Sequence, residues 1–536
     1  MGAAYDYVIV GAGAAGCVLA ARLSEDPGVS VCLIEAGGSN RHPFVTMPRG
    51  VARLMKMPAH VYFYLTDPEP RTAMLPDYWV RGKGLGGSTS VNGMVWVKGQ
   101  PGDYAALAAQ AGEHWGWASF ARAYDAIERH ELGAAPGRGD KGPLRVSISP
   151  ERNALTAAML SAGASMGWPV KADVNEPGDG VGIGYMPRSI WRGRRQSAAV
   201  AFLRAAMKRP NLTVLTGAVT DRVLFDGKRA VGVEVLRDGA RQAIGAAREV
   251  LLCAGAIASP AILERSGVGD PARLASLDIP LVHAQPAVGE GTSEHRCMRM
   301  QWRLTRPLSF NPRYRGWRLI ASVLRYYLRR DGPMSGSSME MRAAFKSRPD
   351  VALADIQVQL GLYSWDLTKP TSAVERLHGI SAIAYGMAPT SQGSIHITSR
   401  DPGRQPAITA NYYATEADRR IILSCARQMR EWAARPPLAR LIASETTPGP
   451  AAQSDAQLLE SIDRLGVAGL HTVGSCRMGM DAASVVDPDL KVRGVEALRV
   501  IDASVFPVIP AGNTQAPVIA LGWLAAERIT AQARVN

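Results

Sequence analysis

Near its start the chain reads Gly11-Ala12-Gly13-Ala14-Ala15-Gly16, and no other feature limits its fold so tightly. The hexad follows the apolar run Val8-Ile9-Val10 at once and opens Cys17-Val18-Leu19-Ala20-Ala21-Arg22-Leu23, a buried-helix pattern. G-x-G-x-x-G between a strand and a helix is the turn on which a βαβ unit holds a dinucleotide. Its first glycine permits the tight turn, its second lets backbone N–H groups approach a pyrophosphate, and its third lets the helix close onto the strand. Ala14 and Ala15 then offer unpaired helix-end donors to the phosphates. A second strand, Val29 to Ile34, ends in Glu35-Ala36, where an acid accepts from a ribose hydroxyl and disfavours a 2′-phosphate. The expected class is α/β with a Rossmann-like unit. This unit alone does not separate FAD from NAD.

At 536 residues, 47% hydrophobic and 20% charged, the chain has the balance of a soluble protein and is too long for one core, so two domains are expected. The first strand begins too early to leave room for a secretory signal. Apolar stretches are interrupted before the roughly 20 residues a spanning helix needs. The cysteines, Cys17, Cys32, Cys253, Cys297, Cys425 and Cys476, form no C-x-x-C pair and no zinc spacing, which points to the cytoplasm and to no structural metal. Cys476 reads as a small buried side chain. The net charge of +14 is carried mainly by arginines spread along the chain, with no nucleic-acid module. One cluster stands out: residues 311–330 carry Arg313, Arg315, Arg318, Arg325, Arg329 and Arg330 beside Tyr314, Trp317, Tyr326 and Tyr327, with no acid. A solvated helix or subunit contact is the preferred reading there, and a peripheral membrane contact the other.

Three more motifs follow. Arg81-Gly82-Lys83-Gly84-Leu85-Gly86-Gly87-Ser88-Thr89-Ser90-Val91-Asn92-Gly93-Met94-Val95-Trp96 is a second glycine-rich loop, with no clear strand before it, whose backbone can lie against a planar or charged ligand. Glu249 to Gly255 reads as a strand and Ala256 to Gly267 as a helix closed by glycine. Near the end come Leu470-His471-Thr472-Val473-Gly474-Ser475-Cys476 and Val500-Ile501-Asp502-Ala503-Ser504, then Pro510-Ala511-Gly512-Asn513-Thr514-Gln515-Ala516-Pro517. In order and spacing these motifs resemble the glucose-methanol-choline (GMC) oxidoreductase superfamily, in its bacterial branch of alcohol and choline dehydrogenases, from end to end.

The resemblance implies a discontinuous FAD-binding domain (1–160, 196–301 and 462–536) and a sheet-and-helix substrate domain (161–195 and 302–461) roofing the flavin. It places Gly86, Gly87 and Ser88 near the isoalloxazine and pyrophosphate and Asn92, Gly93, Met94 and Val95 against the flavin. Val219, at the end of a strand, would meet the adenine; Asp502 and Ala503 the ribityl and pyrophosphate; Thr514 and Gln515 complete the cofactor contacts. Val91 stands where some relatives tether FAD through a histidine, so noncovalent FAD is expected. His295 follows a departure from the family pattern (Val288-Gly289-Glu290-Gly291-Thr292-Ser293-Glu294) and reads as structural.

Oxidising an alcohol requires a base for the hydroxyl proton and a hydride acceptor, which a flavin supplies. The resemblance implies His471 as base and Asn513 as donor to the substrate oxygen. The expected reaction is primary alcohol to aldehyde, on an aromatic, furanic, alkyl or polyether substrate. Choline is disfavoured because no aromatic cage with a carboxylate is visible. The electron acceptor is O₂ or a quinone or cytochrome, and Gly469 is expected to leave open space beside the flavin. Hydroxynitrile lyase and light-driven fatty-acid decarboxylase chemistry are the alternatives on this fold.

Overall fold

The computed structural model describes residues 4–368, 373–510 and 512–535; Ala511, in the last motif, lies outside them. The apolar runs at the start pair as expected. Ala4–Val10 and Val31–Glu35 are parallel neighbours, Leu212–Thr216 extends the sheet on one side, and Ala240–Leu252 on the other. Ala240–Leu252 also starts an antiparallel meander with Arg229–Arg237 and Ala218–Asp226, and its far end receives Leu498–Val500 in parallel, completing seven strands.

Helix Ala14–Leu23 covers this sheet, and the C-terminal helix Gln515–Val535 packs on it where both backbones are small: a Cβ on Gly522 would lie 2.9 Å from the Ala15 Cα. Gly11 has φ +100°, and a Cβ on Gly16 would sit 1.9 Å from the Gly11 carbonyl oxygen, so the third glycine closes the turn onto itself.

Two expectations shift. The second glycine-rich loop does follow a strand, Tyr78–Gly82, paired with Val61–Leu65; five residues containing Trp, Arg and Gly give too little alternation to read. Val219 is not at the end of Leu212–Thr216 but second in Ala218–Asp226, opposite Leu236, because Gly217 (φ +70°) turns the corner between them.

The second sheet has eight strands, in the order Ile442–Thr447, Arg296–Leu304, Gly379–Gly386, Ile356–Gly361, Met341–Phe345, Gly182–Tyr185, Val170–Lys171, with Val467–Ala468 beside Arg296–Leu304. One face is a dry core: Met300, Trp302, Val358, Leu360, Ile380 and Ala382 pack with Met429 and Trp432 of helix Glu416–Ala434. By the two-residue period of a strand the other face carries Arg299, Gln357, Gln359 and Tyr385. Strand Arg296–Leu304 and helix Ala154–Ser165 both sit with this sheet although the expected boundaries divide them; with that adjustment the two-domain partition stands as our proposal.

Helix Gly316–Arg329 spans the basic cluster, burying Tyr326 and leaving Trp317 and Leu328 in solvent. No described helix is long and apolar enough to cross a membrane.

Candidate active site

The two glycine-rich loops, remote in sequence, form one cradle. The Gly86 N–H donates to the Ala12 carbonyl at 2.8 Å, and a Cβ on Gly87 would lie 2.8 Å from the Gly13 Cα. Glu35 ties them: Oε2 accepts from the Ala12 N–H (3.0 Å) and Oε1 from the N–H groups of Gly37 (2.8 Å) and Gly84 (2.9 Å). Oε2 keeps an accepting position for a ribose hydroxyl. A Cβ on Gly13 would meet nothing nearer than the Cys253 carbonyl at 3.8 Å, and helix Ala14–Leu23 has neither a side-chain cap nor an acid in its first turn. Open space with free helix-end donors suits a pyrophosphate, so these residues fit a dinucleotide.

The C-terminal motif closes onto the same cradle. Asn92 Nδ2 donates to Gln515 Oε1 (2.5 Å), Gln515 Nε2 to Ser189 Oγ (3.1 Å), and Asn92 Oδ1 accepts from the Met94 N–H (3.1 Å) and Arg195 Nη1 (2.8 Å). Met94, with φ +62°, turns the chain so that Val95 packs near Met339, Trp365 and Ile383 of the second domain. Asp502 is engaged within the protein, accepting from Gly255 N–H (2.8 Å) and Ser259 Oγ (2.6 Å) at Oδ2 and from Ser504 N–H (2.9 Å) at Oδ1. It fixes Ala503 at the start of a short turn, leaving Ala503's backbone as the contact on offer. Ser88 Oγ accepts from the Gly82 N–H. Val91 is buried with Val45, Leu54 and Val61.

His471 and Asn513 meet: His471 Nε2 lies 2.9 Å from Asn513 Nδ2. His295, read from the sequence as structural, is the third member, its Nδ1 2.9 Å from His471 Nδ1. The segments carrying the histidines run antiparallel, with Ser293 and Val473 exchanging backbone bonds and the Gly469 N–H donating to the His295 carbonyl (2.7 Å). Gly469 does not leave open space; a Cβ there would lie 2.8 Å from the His295 Cβ and 2.9 Å from His471 Nδ1, so the glycine is what lets the two rings approach.

The tautomers follow from chemistry. His295 Nε2 faces the Met387 carbonyl at 2.9 Å, which can only accept, so that nitrogen carries hydrogen. Burial pushes the His295 pKa down to about 4, so the ring is neutral and its Nδ1 is an acceptor. His471 Nδ1 must then donate. Burial, with the neighbouring His295 and Arg81, holds His471 well below the ordinary imidazole range, so its Nε2 is a bare lone pair receiving the Asn513 amide hydrogen. Asn513 cannot flip: its Oδ1 accepts from Gln357 Nε2 (2.7 Å) and the Tyr385 hydroxyl (3.3 Å), with Gln359 Nε2 at 3.5 Å.

Glu294 anchors the pair from behind. Its Oε1 accepts from the N–H groups of His295 and His471, both at 2.8 Å, and its Oε2 from Thr472 Oγ1 (2.6 Å) and Arg81 Nη2 (3.4 Å). Glu294, His295 and His471 bring three ligand-type atoms within 4.8 Å, but bonds among themselves and to the backbone occupy them, and we read them as a hydrogen-bond relay. Sequence reasoning missed Glu294, His295, Gln357, Gln359 and Tyr385; polar residues alternating in an otherwise apolar run, Gln357-Val358-Gln359-Leu360, were the available signal.

A parallel-sheet nucleotide cradle under a polar-faced roof, with an imidazole lone pair opposed to a carboxamide, defines a dinucleotide-dependent oxidoreductase. Family models described as GMC oxidoreductase match residues 5–297 and 389–522, and the chain belongs to that family of FAD-dependent enzymes acting on CH–OH groups. It is similar to an oxygen-dependent choline dehydrogenase of Paraburkholderia phytofirmans (41% identical over 530 residues, 98% of this chain and 94% of the relative) and to one of Escherichia coli (39% over 535 residues, 98% and 96%). Among solved structures it is similar to pyridoxine 4-oxidase from Mesorbium loti (30% identical, TM-score 0.89, covering 98% and 99%). Formate oxidase (24% identical, TM-score 0.92, covering 100% and 99%) shares the fold.

Proposed function

We propose that the chain oxidises a primary alcohol to an aldehyde with His471 as base and Asn513 as donor to the substrate oxygen, using noncovalently held FAD. The observation that carries this is the 2.9 Å pair of a bare His471 Nε2 and an oriented Asn513 amide hydrogen. A hydroxyl inserted between them donates its hydrogen to Nε2 and accepts from Nδ2, so one oxygen meets base and donor together. As the proton moves to Nε2, the amide hydrogen stabilises charge growing on oxygen. Bound FAD supplies the acceptor for the hydride leaving the carbinol carbon. Gly11, Gly13, Gly16 and Glu35 would hold its adenosine and pyrophosphate portion, and residues 86–95 its flavin. Val91 supports noncovalent attachment, since a buried aliphatic side chain offers no linkage.

The substrate is an uncharged or anionic alcohol of aromatic, furanic, alkyl or polyether type rather than choline, even though the similar dehydrogenases are named for choline. In support, Glu294, the carboxylate beside the histidines, is buried and its charge is offset by Arg81 at 3.4 Å, so it offers a quaternary ammonium little uncompensated negative charge. The names of those relatives favour O₂ as acceptor over a quinone or cytochrome. Stopped-flow mixing of reduced enzyme with O₂ decides: fast reoxidation makes it an oxidase and slow reoxidation a dehydrogenase.

The test of the reaction is anaerobic bleaching of the flavin by alcohols. His471→Ala should keep FAD and lose roughly 10²- to 10⁴-fold in reduction rate; an unchanged rate would remove the base. Turnover of a hydroxynitrile without bleaching, or alkane formation only under blue light, would replace the reading by lyase or decarboxylase chemistry.

A further inference from the structure

We infer that Arg299 forms an anion subsite in the substrate cavity, so that the alcohol this chain oxidises carries a carboxylate several bonds from its hydroxymethyl carbon. The inference rests on the alcohol-oxidation reading above and narrows its substrate. Arg299 lies on strand Arg296–Leu304, whose Met298, Met300 and Trp302 enter the dry core; its side chain therefore leaves the opposite face, toward Asn513. The register fixes how far along: Arg299 pairs with Ile383, and Ile383 with Gln359, whose amide reaches Asn513 Oδ1. Two strand spacings separate the Arg299 and Gln359 backbones by about 10 Å. Two residues before Arg299, Cys297 Sγ lies against the Gly469–His471 turn, 3.4 Å from where a Cβ on Gly469 would sit.

What sets this arginine apart is its lack of a partner. On the same strand Arg296 pairs with Asp77 (2.8 Å) and Arg303 with Glu375 (3.1 Å), and across the sheet Arg342 donates to Gln357 Oε1 (2.8 Å) and the Val174 carbonyl (3.3 Å). Among the described residues the Arg299 side chain makes no hydrogen bond or ion pair; its Nε is buried and unsatisfied, and its guanidinium carbon lies 5.9 Å from the centre of the Trp365 ring. Burial lowers its pKa, and Asp77, which is held by Arg296, offsets this only in part. A guanidinium fork takes a carboxylate through two parallel hydrogen bonds, and Trp365, Ile383 and Val95 give the intervening carbons an apolar wall.

The test compares benzyl alcohol, 4-(hydroxymethyl)benzoate and its methyl ester as anaerobic reductants of the holoenzyme, and 4-methylbenzoate as a non-reacting ligand followed by calorimetry. Wild type should favour the carboxylate over its ester. Arg299→Gln should lose that preference and weaken 4-methylbenzoate binding roughly 10- to 100-fold, with benzyl alcohol reduction unchanged and Arg299→Lys recovering part of the loss. Equal use of acid and ester by wild type, or a loss in Arg299→Gln shared equally by benzyl alcohol, overturns the subsite while leaving the base intact. Failure of every alcohol to bleach the flavin would instead strike the parent reading, and 4-methylbenzoate binding would still judge Arg299.

A different observation carries a second inference: we propose that helix Gly316–Arg329 docks on an anionic lipid surface. Its inner side buries Tyr326 and Ser322, while Trp317 (72% exposed), Ile320 (63%), Leu324 (57%), Tyr327 (40%) and Leu328 (83%) form a contiguous outer stripe at helical spacing. A fully solvated helix does not show five large apolar side chains on one face, which argues against the solvated half of the preferred reading and leaves a subunit contact as the rival occupant. Arg318, Arg325 and Arg329 run along one side of the stripe at the same helical spacing, and Asp331, the next acid along the chain, is paired with Arg325 at 2.6 Å. Apolar side chains beside a row of guanidinium groups match the boundary of acyl chains and anionic headgroups.

Purified holoenzyme should co-sediment with phosphatidylcholine vesicles containing phosphatidylglycerol, poorly with phosphatidylcholine alone, and less as salt rises. Leu324→Glu with Leu328→Glu should abolish binding with flavin reduction unchanged. Absence of binding to the anionic vesicles at low salt overturns the proposal, as does a dimer that the same double variant dissociates.

Discussion

His471 keeps its Nε2 unprotonated because its Nδ1 carries the hydrogen donated to His295, and the orientation of His295 is set by a carbonyl that cannot donate. His295 is thus a positioning residue, and its loss should differ from a packing defect. His295→Asn keeps an acceptor near the Nδ1 position and should retain most of the flavin reduction rate, whereas His295→Leu leaves the His471 Nδ1–H unpaired and should lose roughly 10- to 100-fold, mainly in the limiting reduction rate rather than in substrate affinity. Equal losses in both variants would make the histidine merely structural. The pH profile reads the same pair. In the proposed role of base His471 acts only when neutral, so activity is present above its pKa and falls as pH drops through it; because burial and the nearby His295 and Arg81 depress that pKa, the acid limb should lie below the ordinary imidazole value of about 6.5. A limb at or above that value contradicts the depressed base.

The glycine hexad was legible because its chemistry is local: strand, turn and helix lie within adjacent residues, and each glycine has a steric reason that a short stretch of sequence states. A Cβ at position 16 would sit 1.9 Å from the Gly11 carbonyl oxygen, so Gly16→Ala should open the turn, abolish FAD retention and cost about 3 kcal/mol or more; absorbance of the purified variant and its urea midpoint measure both. A yellow Gly16→Ala protein of ordinary stability would refute the packing argument. The roof was legible as strands but not as half a site. Gln357 and Gln359 announce a polar face, yet their partner Asn513 is 156 and 154 residues away, and register between distant strands is set by packing that no local pattern encodes. His295 was passed over for the same reason: its meaning comes from the antiparallel pairing with the His471 segment, which begins at a glycine whose role is to let two rings touch.

Both ends of the chain converge on the cradle, and this makes stability depend on its occupant. Glu35 joins the two loops, Asn92 and Gln515 join the second loop to the C-terminal helix, and Gln357 and Tyr385 join that end to the roof, so the contacts that hold the domains in register are those a dinucleotide would lie between. Much of that cradle is backbone and glycine, with open space at Gly13, which packs nothing by itself. FAD binding only the folded chain adds RT ln(1 + [L]/Kd), about 2.7 kcal/mol at a hundredfold excess over Kd. Protein stripped of flavin should therefore melt at a lower temperature, and its midpoint should climb with added FAD while that of Gly16→Ala stays flat. Calorimetry across an FAD titration makes the comparison, and a midpoint indifferent to FAD would mean that the two ends are held together by protein contacts alone.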